Sequence, residues 1–124
     1  MTVTLNLFAN IVVGVVALLH LYFLVLEMFF WNRPFGRRIF GLTPEFAEAS
    51  AALAANQGLY NGFLAAGLGW GLVLGPAGFS IKLFFLGCVI VAGVFGAMTA
   101  NRRILWIQAM PGLIAFALVL SVRA

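Results

Sequence analysis

Charge is what this sequence has least of. Seven Lys and Arg and three acidic residues are all the charged side chains in 124 residues, while 65% of the chain is hydrophobic. A water-soluble domain takes about 25% of its residues from the charged set. So few charges cannot clothe a soluble surface, and the composition predicts an integral membrane protein. Cysteine is nearly absent too. Cys88 stands alone, which excludes an internal disulfide, a CxxC redox pair and a cysteine-based zinc site. Basic residues are missing from Met1 to Leu5, ahead of the first apolar run. A secretory signal peptide needs that basic region, so the first run reads as a retained span. The net charge of +4 comes without a basic stripe interleaved with aromatics, which excludes nucleic acid as a partner.

What the chain does have is long apolar runs, cleanly punctuated. At about 20 residues per span, four fit with short connections, at about 5–31, 44–74, 79–99 and 104–122. The expected fold is all-α: a four-helix transmembrane bundle forming a single integral-membrane domain over residues 1–124. Pro34 and Gly36 are expected to stop the first helix. The apolar Phe35, Ile39, Phe40 and Leu42 that follow suit a connection lying on the membrane surface. Thr43-Pro44-Glu45 is a helix start, with a cap, a first-turn proline and an acid near the positive helix end. Gly75-Pro76-Ala77-Gly78 makes the turn on the far side, and Pro111 should disturb the last helix. Arg33, Arg37, Arg38, Arg102 and Arg103 fall on one side of the membrane, Lys82 and Arg123 on the other. The basic-rich side is cytoplasmic, which places both termini on the outer, periplasmic side.

Small residues recur every four positions in the second span (Ala54, Gly58, Gly62, Ala66) and in the third (Cys88, Ala92, Gly96, Ala100). Such ladders let helices approach closely. On consecutive antiparallel helices they are expected to pack against each other.

The polar groups inside the spans are few and grouped. Asn6, Asn10, His20 and Glu27 fall within about 100° of arc on the first helix. The second span holds Asn56, Gln57, Tyr60 and Asn61, and the fourth holds Gln108. Measured by helical rise from the cytoplasmic boundary, His20, Glu27, Asn56, Gln57, Tyr60, Asn61 and Gln108 sit at about 5–17 Å depth on three helices, with Asn6 and Asn10 near the outer end. The matching depths point to one polar cavity, opening toward the cytoplasm, with the third helix as a back wall.

Each group also has a bland reading. Glu27 is the one carboxylate within an apolar span. It is either a hydrogen-bonded structural residue or a ligand anchor and proton carrier. Amides across membrane helices can be simple glue, worth about 0.6–2 kcal/mol. His20 has no cysteine partner and one candidate carboxylate, so no metal and no cofactor is expected. It lies about 10 Å along the axis from Glu27, too far for a direct bond but suited to two ends of one ligand. No serine lies near it for a hydrolytic triad, and no catalytic residue is assigned.

These same residues carry a resemblance. His20, Glu27 and Trp31, the run Asn56-Gln57-Gly58-Leu59-Tyr60-Asn61-Gly62-Phe63-Leu64-Ala65, and Gln108 with Pro111-Gly112 resemble the small bacterial membrane proteins of the "domain of unknown function 1304" family. The resemblance implies a four-span protein of the bacterial inner membrane and supplies no reaction.

Three functions remain. The first is binding of a small amphipathic or lipid-like ligand by His20, Glu27, Asn56, Gln57, Tyr60, Asn61 and Gln108, with acid–base chemistry such as isomerisation open to it. The second is a proton-coupled exporter using Glu27, working as a homodimer. The third is a structural accessory subunit. Membrane lipid is a partner in all of them.

Overall fold

The computed structural model describes residues 2–124. Among the described residues there is no strand. Helix α1 (Thr2–Val25) continues into a π-helical turn (Leu26–Phe30). After it come a short α2 (Pro34–Phe40), a long α3 (Pro44–Val73), a 3₁₀ turn (Gly75–Gly78) and α4 (Phe79–Thr99). A second π-helical turn (Leu105–Ala109) leads into α5 (Met110–Val122).

The boundaries follow local chemistry. Thr43 Oγ1 accepts the Phe46 N–H at 3.1 Å and so caps α3. Pro44 takes the first helical position, where a missing N–H costs nothing. Pro111, lacking an N–H, follows directly on the second π turn, where Met110 N–H reaches back five residues to the Leu105 carbonyl. The wider turn takes up the mismatch that proline creates in an α-helix.

The corner after the first helix differs from expectation. Arg33 is extended (φ −112°, ψ 156°) and Pro34 starts a new helix instead of merely ending one. Gly36 lies inside that helix, its backbone so close to the Phe30 carbonyl that a side chain would overlap it. Here proline and glycine build a tight helix–helix corner, because a bare Cα permits the contact. Phe35 and Ile39 remain exposed on α2.

Among the described residues, three segments are long and apolar enough to cross a membrane: Val3–Phe30, Gly75–Thr99 and Leu105–Val122. Their exposed side chains are large and apolar, among them Phe8, Leu18, Phe84, Val91, Phe95 and Ile114. Many of their buried ones are small, such as Ala9, Val13, Val16, Val89, Ala115 and Val119, beside the larger Leu26 and Leu86. Soluble proteins rarely expose contiguous apolar surface of this kind. The longest helix, α3 with 30 residues, is not among the three. Carboxamides, alanines and glycines dilute its apolar content.

The chain divides into two compact units. One holds the chain up to Ala17 together with Ala66–Ala124, the other Leu18–Ala65. In the first, Gly67 rests against the Phe85 ring and Gly71 against Lys82, which seats the end of α3 on α4. Gly93 brings α4 onto the second π turn: a carbon added there would lie 2.5 Å from Ala109 N. In the second unit, Gly58 and Gly62 face Leu24, Glu27 and Met28.

This corrects the reading of the ladders. Gly58 and Gly62 receive the first helix, whereas α4 takes Gly67 and Gly71. A run of small residues marks where a helix can come close but carries no label for its partner.

Candidate functional site

The polar core of the second unit is built from two helices. On α1, His20 is fully buried. Its ring meets Phe23 edge-on, with centroids 5.5 Å apart. Glu27, about two turns further on, lies in the first π-helical turn. Such a turn inserts an extra residue, re-aims its side chains, and recurs at functional sites.

On α3, Ala54, Gly58, Asn61 and Ala65 are all buried. Their spacing of four, three and four defines one helix face. Asn61 is the polar member of that face, and an amide buried without a partner is costly. Its Nδ2 donates to Glu27 Oε1 at 2.6 Å. Gly58, one turn earlier, makes the approach possible: a carbon added there would lie 3.1 Å from Glu27 Cβ and 3.2 Å from the Leu24 carbonyl.

A second tie closes the helix end just past Glu27. Trp31 Nε1 donates to Ser50 Oγ at 3.0 Å, and Ser50 Oγ donates to the Phe46 carbonyl at 2.6 Å. The Trp31 ring packs on Phe40 of α2, centroids 4.9 Å apart. The carboxyl is therefore held between two fixed helices.

The structure sorts the remaining expected residues. Asn56, Gln57 and Tyr60 are exposed on α3, Tyr60 with its ring 6.0 Å from Phe63. Gln108 is half-buried in the second π turn, in the other unit. Both His20 and Gln108 have interaction partners. An open groove of about 740 Å³, lined by Val94, Ala97, Met98, Arg102, Leu105 and Trp106, contains none of the expected residues. Among the described residues, no three His, Cys, Asp or Glu side chains gather as a metal site requires.

Sequence reasoning missed one cluster. Lys82, read as a topology marker, is fully buried in the first unit. Its Nζ donates to Asn10 Oδ1 at 3.1 Å. Asn6 Oδ1 is also buried, with no hydrogen-bond partner. The signal was available: Asn6 and Asn10 sit near the start of the first apolar run, and Lys82 near the start of the run from 79. The depth matching that grouped the inner residues would have grouped these as well.

The family model described as "Protein of unknown function (DUF1304)" matches residues 14–120. That stretch contains His20, Glu27 and Asn61. The chain is 32% identical over 108 residues to "Uncharacterized protein YpaA" of Lactococcus lactis subsp. lactis (strain IL1403), covering 86% of this chain and 89% of that one. No solved structure matches.

Proposed function

We propose, for a chain that belongs to the DUF1304 family of proteins of unknown function, that it is a four-span protein of the bacterial inner membrane that binds a small amphipathic, lipid-like ligand at its Glu27–Asn61 pair. Helix α3 is the fourth span. At 30 residues and about 1.5 Å per residue it is about 45 Å long, more than the hydrocarbon core of about 30 Å. An even number of spans puts both termini on one side, and the five arginines put that side outside.

The observation that carries the ligand reading is the 2.6 Å bond from Asn61 to Glu27. An acidic residue within a span costs up to about 2.5–3.5 kcal/mol. Two amides would join the helices at lower cost, so a carboxyl retained here points to a use for its charge or proton. Asn61 engages Oε1. Among the described residues Glu27 makes no other hydrogen bond, so its remaining capacity suits an amine or hydroxyl headgroup. His20, about two turns earlier on the same helix and buried, is a further polar group on the side of the first helix that bears Glu27.

The test is Glu27→Gln. Glutamine keeps an acceptor for Asn61, so the fold is expected to persist while charge and proton exchange are lost. Mass spectrometry of the organic extract of purified protein should find a ligand with the native chain and lose it with the variant. Equal retention by both overturns the proposal.

A further inference from the structure

Helix α3 is polar on two faces, and one of them is satisfied within the chain. The buried stripe has Asn61, which has Glu27. At 100° per residue, Asn56 lies about 140° round the helix from Asn61, and Tyr60 about 100°. Both are exposed, and Leu53 and Phe63 beside them are 75% and 55% exposed. Among the described residues the side chains of Asn56 and Gln57 make no hydrogen bond. Exposed positions on α1, α4 and α5, such as Leu18, Val91, Phe95 and Ile114, can face lipid without cost. Carboxamides cannot, because acyl chains offer them no partner.

We propose that a second copy of this chain covers this face, α3 against α3. The proposal rests on α3 lying in the membrane, as proposed above, and not on the ligand. The face is uncharged from Ala49 to Phe63, so an acidic or basic partner finds no counterpart there. A carboxamide carries both donor and acceptor. A two-fold axis therefore makes identical amides mutually complementary. Two copies inserted with the same topology place Asn56 and Gln57 of each at equal depth, where they can exchange hydrogen bonds. Ala52 and Ala49, exposed one and two turns before Asn56, are small enough for the backbones to draw close. The pairing also accounts for the carboxamides on α3, the long helix that is not among the three most apolar segments.

Cross-linking in native membranes tests this. Single cysteines are introduced on a Cys88→Ser background as Leu53→Cys, Asn56→Cys and Tyr60→Cys, with Val91→Cys and Ile114→Cys as lipid-facing controls. Oxidation should give dimers at the α3 positions and little at the controls. In addition, Asn56→Leu should raise the dimer dissociation constant about 3- to 30-fold for each interhelical hydrogen bond lost, with helicity unchanged. Cross-linking at α3 no stronger than at the controls overturns the dimer. Rapid labelling of Tyr60→Cys by a membrane-impermeant maleimide overturns it differently, by removing the insertion of α3. Neither result depends on whether Glu27 retains a ligand.

Discussion

Replacing Gly58 by alanine adds one methyl group where α1 and α3 approach most closely around Glu27. The new carbon would lie 2.8 Å from Met28 Cγ, 3.1 Å from Glu27 Cβ and 3.2 Å from the Leu24 carbonyl oxygen. Met28 can rotate away. The Leu24 carbonyl is helix backbone, and Glu27 Cβ is rigidly attached to it, so α1 itself must shift. Overpacking of this kind costs about 1–3 kcal/mol. It is offset by about 1 kcal/mol, because alanine is a better helix former than glycine. Gly69→Ala on the same helix is the control: apart from the adjoining residues and backbone of its own helix, no atom lies within 4 Å of its added carbon, so only the gain applies. The two variants should differ by about 1–3 kcal/mol, or about 5- to 150-fold in the unfolding equilibrium. Unfolding by SDS titration in mixed micelles, followed by circular dichroism, reads this directly. The shift should also disturb the Asn61–Glu27 bond, so Gly58→Ala is expected to lose retained ligand as well. If Gly58→Ala is as stable as Gly69→Ala, the close approach of α1 and α3 is wrong and the geometry of the site falls with it.

Other substitutions probe the remaining buried contacts in the same titration. Lys82→Met removes a buried ammonium at similar side-chain length, and stability should stay level or rise, as when a buried ion gives way to an apolar isostere. Asn10→Leu removes the acceptor of that ammonium and should cost about 1.5–3 kcal/mol; the opposite ranking would refute the burial of Lys82. Trp31→Phe and Ser50→Ala remove one shared hydrogen bond, so each should cost about 0.5–1.5 kcal/mol. The double variant should cost clearly less than the two effects added together.

Helix limits were legible because proline, glycine and a cap mark them. Thr43-Pro44 opens α3 (Pro44–Val73) and Gly75-Pro76 follows its end. Gly78 directly precedes α4 (Phe79–Thr99). Pairing was less legible. Gly58 and Gly62 announced a close neighbour, but its identity depends on how the whole chain closes, and it proved to be α1. The π turns at Glu27 and Gln108 were invisible, since a single added residue leaves the apolar pattern almost unchanged. Asn56, Gln57, Tyr60 and Asn61 are close in sequence, but at 100° per residue Asn56 falls about 140° round the helix from Asn61, and the structure exposes one and buries the other. Glu27 and Asn61 were recognisable because both are polar and lie within apolar runs. Their direct bond was not: counted by helical rise from the expected boundaries they lie about 12 Å apart in depth, whereas the structure bonds them at 2.6 Å.

The most direct measurement uses a photoactivatable, clickable phospholipid fed to cells expressing the protein, followed by irradiation and peptide mapping. The account predicts adducts concentrated on the peptides around Glu27 and Asn61, and their loss in Glu27→Gln protein of unchanged helicity. Labelling spread evenly over the exposed apolar faces, and indifferent to Glu27, would contradict it.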